Sequence, residues 1–164
     1  MAKKKHQRKN LVTRLLDGKK IAYETRTYDP DTFVSAPEVA AGIGMTPERL
    51  FKTLVVLPAQ GKPLLAVIPA NSELDLKALA RAAGVKKAQM ATLAQAEKLT
   101  GLKKGGISSL ALINRGFRVF IDESALQFDT IAMSAGVRGM QVILAPTDFI
   151  SLTNAGVAPL GRQP

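Results

Sequence analysis

The sequence contains no cysteine. That absence excludes disulfides, zinc–thiolate sites and a thiol nucleophile together, and it fits the reducing cytoplasm, the compartment expected here. Histidine is almost as scarce. The only one, His6, falls in a basic terminal stretch, which argues against a histidine-based triad. No apolar run approaches the roughly 18 residues needed to cross a bilayer. The longest, 54–58 and 64–70, are separated by Gln60, Gly61, Lys62 and Pro63. The start is basic but leads into no apolar signal region. The acidic residues form no D-x-D or H-x-x-E cluster, so no metal site is expected and no cofactor is implied. Neither a G-x-x-x-x-G-K-[ST] nor a G-x-G-x-x-G motif occurs, which argues against nucleotide-hydrolysing and dinucleotide-binding folds. An enzyme built from this chain must work with lysine, hydroxyl groups, main-chain amides and its own substrate.

What is present fits one globular domain. The chain has 164 residues, 46% hydrophobic and 22% charged, enough to bury a core without a disulfide or structural metal. Residues 1–10 read as a disordered basic arm and 11–164 as the folded domain. The formal charge is +10, and Lys3, Lys4, Lys5, Arg8 and Lys9 supply half of it with no acid among them. A basic arm on a basic body points to a polyanion, with nucleic acid the first candidate. The alternative is a tail that merely aids solubility.

Local patterns predict the elements. Residues 11–17 read as a helix stopped at Gly18, 21–28 as a strand, and Tyr28-Asp-Pro-Asp31 as a turn. Ser35 and Glu38 have the spacing of a capping box, as do Thr92 and Gln95. Thr46-Pro47 opens a short helical turn. Residues 51–57 and 64–69 are β-rich runs joined by a hairpin signal. Residues 75–83 carry an amphipathic helical pattern ended by Gly84. Strands follow at 117–121, 130–134 and 141–144, and a last helix begins near Thr147-Asp148. This irregular alternation favours a mixed α/β fold, a curved and partly barrel-like mixed sheet with helices around it, over a doubly wound parallel one.

Three places offer chemistry. Lys52 shares a strand face with Leu54 and Val56, so its ammonium starts from an apolar surface. It is either a strand-end lysine reaching water or a partly desolvated cation over a pocket. In Lys103-Lys-Gly-Gly-Ile-Ser-Ser109 the two glycines permit close approach to a ligand and can turn N–H groups inwards. The same residues also suit a plain helix end and loop. Met133-Ser-Ala-Gly-Val-Arg-Gly139 is either a hairpin turn or a means of presenting Ser134 and Arg138.

Taken in order, Phe51-Lys-Thr-Leu-Val, Gly105-Gly-Ile-Ser108 and Ser134…Gly136…Arg138-Gly139 resemble the YbaK/ProX group. These are stand-alone relatives of the editing domain inserted in bacterial prolyl-tRNA synthetase. The resemblance spans roughly residues 11–155. It implies hydrolysis of the ester between an amino acid and the 3′ end of tRNA, most of all Cys-tRNA(Pro). A synthetase pocket separates similar small side chains poorly, so a second editing step is the physical remedy. The resemblance implies that Lys52, Gly105, Gly106 and Ser108 are catalytic. It further implies that Tyr28, Thr53, Ile107, Ser134, Gly136 and Arg138 bind substrate, and that the nucleophile is the substrate's thiol or a water. Aminoacyl-tRNA, in particular tRNA(Pro), is the implied partner, with prolyl-tRNA synthetase a further candidate. Two departures stand out. Ser109 replaces a proline common in relatives, which implies a looser loop, and Gln141 stands where some relatives carry an acid. The rival readings are a deacylase of another mischarged tRNA such as Ala-tRNA(Pro), and a non-catalytic tRNA-binding module.

Overall fold

The computed structural model describes residues 10–164. The cations of the expected arm lie outside the described residues, but Asn10 belongs to the fold. Its side chain accepts from Thr13 N–H and its own N–H donates to Thr13 Oγ1, a capping box that starts α1, Leu11–Gly18. The helix ends where expected, yet the left-handed turn falls on Lys20 (φ 57°), not on Gly18. Ile21 N–H then bonds back to Leu16 O, closing the helix end. β1, Tyr23–Thr27, therefore begins two residues later than the pattern predicts.

The two capping boxes form as read, opening α2, Ala36–Gly42, and α4, Leu93–Thr100. Pro47–Arg49 makes a turn of 3₁₀ helix. β2, Phe51–Pro58, and β3, Leu64–Pro69, form the expected antiparallel hairpin, with Phe51 opposite Pro69 and Val56 opposite Leu64. β4, Glu73–Leu74, precedes α3, Leu76–Ala83, which Asp75 caps and left-handed Gly84 ends. β5, Ala88–Met90, β6, Arg118–Asp122, β7, Ile131–Ser134, β8, Met140–Leu144, and α5, Pro146–Thr153, complete the expected set. Two short strands were not legible in sequence: β9, Gly156–Ala158, and β10, Gly161–Arg162. They exist through tertiary pairing, β9 alongside β6 and β10 against β4. Asp122 anchors this end, accepting at 2.8 Å from both Leu160 N–H and Gly161 N–H.

The strands make a five-stranded sheet in the order β5-β2-β3-β6-β9, a three-stranded sheet β1-β8-β7, and the β10-β4 pair. The larger sheet is mixed, since β3, β6 and β9 run parallel while β2 and β5 are antiparallel. Central β3 is buried along its whole length, which is why it reads as a continuous apolar run. Its Leu64, Ala66 and Ile68 pack towards α3, beside Leu79 and Ala83. Its Leu65 and Val67 face the main core with Val12, Phe149, Met133 and Val142. The opposite face of the smaller sheet, Ala132 and Ile143, packs against Val39, Ala40 and Ile43 of α2. An isolated parallel bridge, Leu50–Ala132, ties the two sheets at a corner. The mixed α/β architecture is as expected, but the ladders stay open: among the described residues the sheets do not close into a barrel. No helix among them is long and apolar enough to cross a membrane.

Candidate active site

The corner at Leu50–Ala132 leaves a gap along β2. β5 pairs only with the far half of β2, at Val56 to Pro58, and Ala91 N–H bonds Val55 O. Main-chain groups alternate sides along a strand, so the N–H and C=O of Thr53 point the same way as Val55 C=O, towards the gap. A cavity of about 280 Å³ fills it. Phe51 to Leu54 of β2 form one wall, and Val34, Ser35, Ala36 and Val39 at the start of α2 form another. Lys104, Gly105 and Ile107 of the glycine loop, Ser134 of β7, Gln141 of β8 and Tyr28 complete it.

Lys52 lines this cavity half-buried, with Nζ donating to Ala70 O at 3.2 Å. An ammonium has three protons, and this bond uses one. Desolvation holds its pKa below the ordinary lysine value, with the Glu73 carboxylate pulling the other way. The structure thus decides between the two readings of Lys52 in geometry: the ammonium stands at a cavity wall, with protons to offer. Thr53 lies beside it, and its Oγ1 is 3.2 Å from Ser109 Oγ. That contact ties β2 to the glycine loop, so Ser109 supplies a side-chain tether where the resemblance implied only a looser loop.

The glycine loop divides into a lining part and a supporting part. Gly105 takes φ +83°, a region that favours glycine, and lies against Arg138. Gly106 does not line the cavity. Its N–H donates to Lys103 O at 2.8 Å, and a Cβ there would stand 3.3 Å from the main chain at Gly136 and Val137. Ser108 is also set back, 1% exposed, with Oγ accepting from Ala111 N–H. Among the described residues the N–H groups of Gly105 and Ile107 have no partner. Ser134 Oγ donates to Gly105 O at 3.3 Å and accepts from Gly136 N–H at 3.1 Å, joining the loop to the turn after β7. Gly136 packs behind, against Ala111 and Val12.

A second cleft of about 290 Å³ shares Tyr28, Val34, Lys104 and Gly105 with the first and adds Lys103, Arg138 and Glu97. Arg138 is only loosely engaged there, 3.7 Å from exposed Asp31. The cavity thus opens onto a cationic slope. Among the described residues no three His, Cys, Asp or Glu side chains stand close enough to hold a metal ion.

The family model of the aminoacyl-tRNA editing domain matches residues 31–152, most of the chain. The protein belongs to that family. It is 41% identical over 161 residues, 98% of both chains, to an Enterococcus faecalis protein provisionally named Cys-tRNA(Pro)/Cys-tRNA(Cys) deacylase EbsC. The fold matches the crystal structure of hypothetical protein APE2540 with a TM-score of 0.84 at 22% identity, covering 93% of this chain and all of that one. It matches a provisionally named trans-editing enzyme for prolyl-tRNA synthetase with a TM-score of 0.78 at 22% identity, over 95% and 99% of the two chains.

In this editing domain the structure therefore brings Lys52, Thr53, Gly105, Ile107, Ser134 and Tyr28 around one cavity. It sets Gly106, Ser108 and Gly136 behind the wall and Arg138 in the neighbouring cleft. Sequence reasoning missed three participants. Lys104 is inconspicuous in a chain this basic. The start of α2 offered only a capping signal. Gln141 registered as a departure from relatives, yet a polar residue directly before Val142-Ile143-Leu144 in a buried strand was a signal in its own right.

Proposed function

We propose that this editing domain hydrolyses the ester joining a wrongly attached amino acid to the 3′ end of tRNA, with cysteine on tRNA(Pro) as the preferred substrate. The observation that carries this reading is a cavity where a desolvated lysine and unpartnered main-chain donors meet, at the mouth of a cationic cleft. No cysteine exists in the chain, and the only histidine precedes the fold. The protein thus supplies position and charge stabilisation, and the nucleophile comes from substrate or solvent. The near-complete match to a relative named as a Cys-tRNA deacylase supports the choice of amino acid.

Each residue has a role on this reading. The Lys52 cation holds the ester end of the tRNA, and the N–H groups of Gly105 and Ile107 stabilise negative charge on the carbonyl oxygen. Gly106, Ser108 and Gly136 set the loop's shape, Ser134 fixes it to β7, and Thr53 and Tyr28 border the bound group. Arg138, Lys103 and Lys104, with Lys3, Lys4, Lys5, Arg8 and Lys9, meet tRNA phosphates. In the thiol route the cysteinyl sulfur attacks the carbonyl carbon, and the ester C–O bond breaks. The 3′-oxygen leaves with the thiol's proton, and water later opens the small cyclic thioester. We assign the work to the cytoplasm, with prolyl-tRNA synthetase as the source of the mischarged tRNA.

The test compares Cys-, Ser- and Ala-tRNA(Pro) at fixed enzyme and tRNA. Serine keeps the shape of cysteine, but its hydroxyl stays protonated, whereas a thiol of pKa about 8.5 is a few per cent thiolate at neutral pH. Cysteine is expected to leave fastest by a wide margin. Equal cysteine and serine rates would refute the thiol route in favour of water, faster alanine release would move the specificity, and no release would leave an RNA-binding module.

A further inference from the structure

Gln141 lies across from Ser134 on β7 and from Arg26 on β1, so the three side chains share the face of the smaller sheet that carries α2. It is 4% exposed, lines the active-site cavity, and its Oε1 has no hydrogen-bond partner. A buried amide oxygen left unpaired opposes folding, and native proteins keep few of them. The fold does not ask for one here, since Val142, Ile143 and Leu144 continue the strand as buried apolar residues. The unpaired oxygen needs a donor from outside the chain.

The other polar groups at the cavity narrow what that donor is. Lys52 and the N–H groups of Gly105 and Ile107 are donors, so they suit the oxygens of an ester and a ribose. The strongest donor of an aminoacyl ester is its α-amino group, which loses most on desolvation unless an acceptor meets it. We propose that Gln141 Oε1 receives the α-amino group of the aminoacyl ester and selects esters whose amine is free. Being neutral, the carboxamide accepts from the amine in either protonation state, which a carboxylate at the same place would not do evenly. The inference rests on the deacylase reading above and adds the group that recognises the amino end.

The experiment pairs Gln141→Met, which keeps the length and approximate shape of the side chain but removes the acceptor, with two esters of one tRNA(Pro). One is cysteinyl; the other is 3-mercaptopropionyl, which lacks only the amine. If Gln141 holds the amine, the substitution slows the cysteinyl ester at least tenfold and the mercaptopropionyl ester less than twofold. The melting temperature of the variant stays level or rises, because a buried orphan has been removed. Equal slowing of both esters, or a lowered melting temperature with unchanged ester preference, would assign Gln141 a structural role and overturn the proposal. Wild-type protein that cleared neither ester would remove the deacylase reading and the proposal together, an outcome distinct from a shared loss in the variant alone.

Discussion

Replacing Lys52 by alanine separates binding chemistry from folding. The side chain is half-buried and makes one described hydrogen bond, to Ala70 O at 3.2 Å. A bond from a charged donor contributes about 1.5–3 kcal/mol when well formed. Desolvation of the ammonium, visible in its lowered pKa, works against that gain. The net change in stability should therefore stay within about 1 kcal/mol, or roughly 2–4 °C in Tm for a chain of this size. Catalysis should fall much further. Losing a preorganised charge at a developing oxyanion typically removes about 10²–10³ in rate, some 2.7–4 kcal/mol. Deacylation of Cys-tRNA(Pro) under single-turnover conditions, read beside thermal unfolding, measures both. The pH profile adds a sign. Because burial lowers the Lys52 pKa, the cation is lost at a lower pH than an exposed lysine would lose it, so activity should decline on the alkaline side below the ordinary lysine range. Wild-type turnover by Lys52→Ala, or a collapse in Tm of the same order as the loss in rate, would refute the assignment.

Asp122→Ala should leave the cavity intact but free the C-terminal strands. It strands the N–H groups of Leu160 and Gly161, so unfolding free energy should drop by about 2–5 kcal/mol, measured by urea titration. Ser109→Ala removes the link to Thr53 and should cost about 1 kcal/mol of stability while slowing deacylation several-fold, since the loop loses its tether to β2. A truncation starting at Asn10 should weaken tRNA binding at low salt. The log–log salt slope should shrink by at most about 3.5–4.5, from five cations at 0.7–0.9 per phosphate contact. An unchanged affinity by filter binding would make the arm a solubility tail.

Local chemistry alone determined the elements whose signals lie within a few residues of each other. The capping boxes at Ser35–Glu38 and Thr92–Gln95, the stop at Gly84, and the hairpin from 51 to 69 follow from side-chain hydrogen bonds, glycine's freedom at positive φ and alternating apolar residues. So did the elimination of cysteine and histidine chemistry, which is a matter of composition. Tertiary structure decided the rest. β9 and β10 are too short to hold a pattern and exist only because β6, β4 and the Asp122 carboxylate supply partners from far along the chain. The division of the glycine loop depends on where Gly106 meets the main chain at 136–137, a contact invisible in either segment alone. The cavity exists because β5 leaves half of one edge of β2 unpaired while a single bridge from Leu50 to Ala132 turns the second sheet across it. Local propensity sets a strand's direction and faces, but which edge stays open is a property of pairing, and pairing is decided by the whole chain.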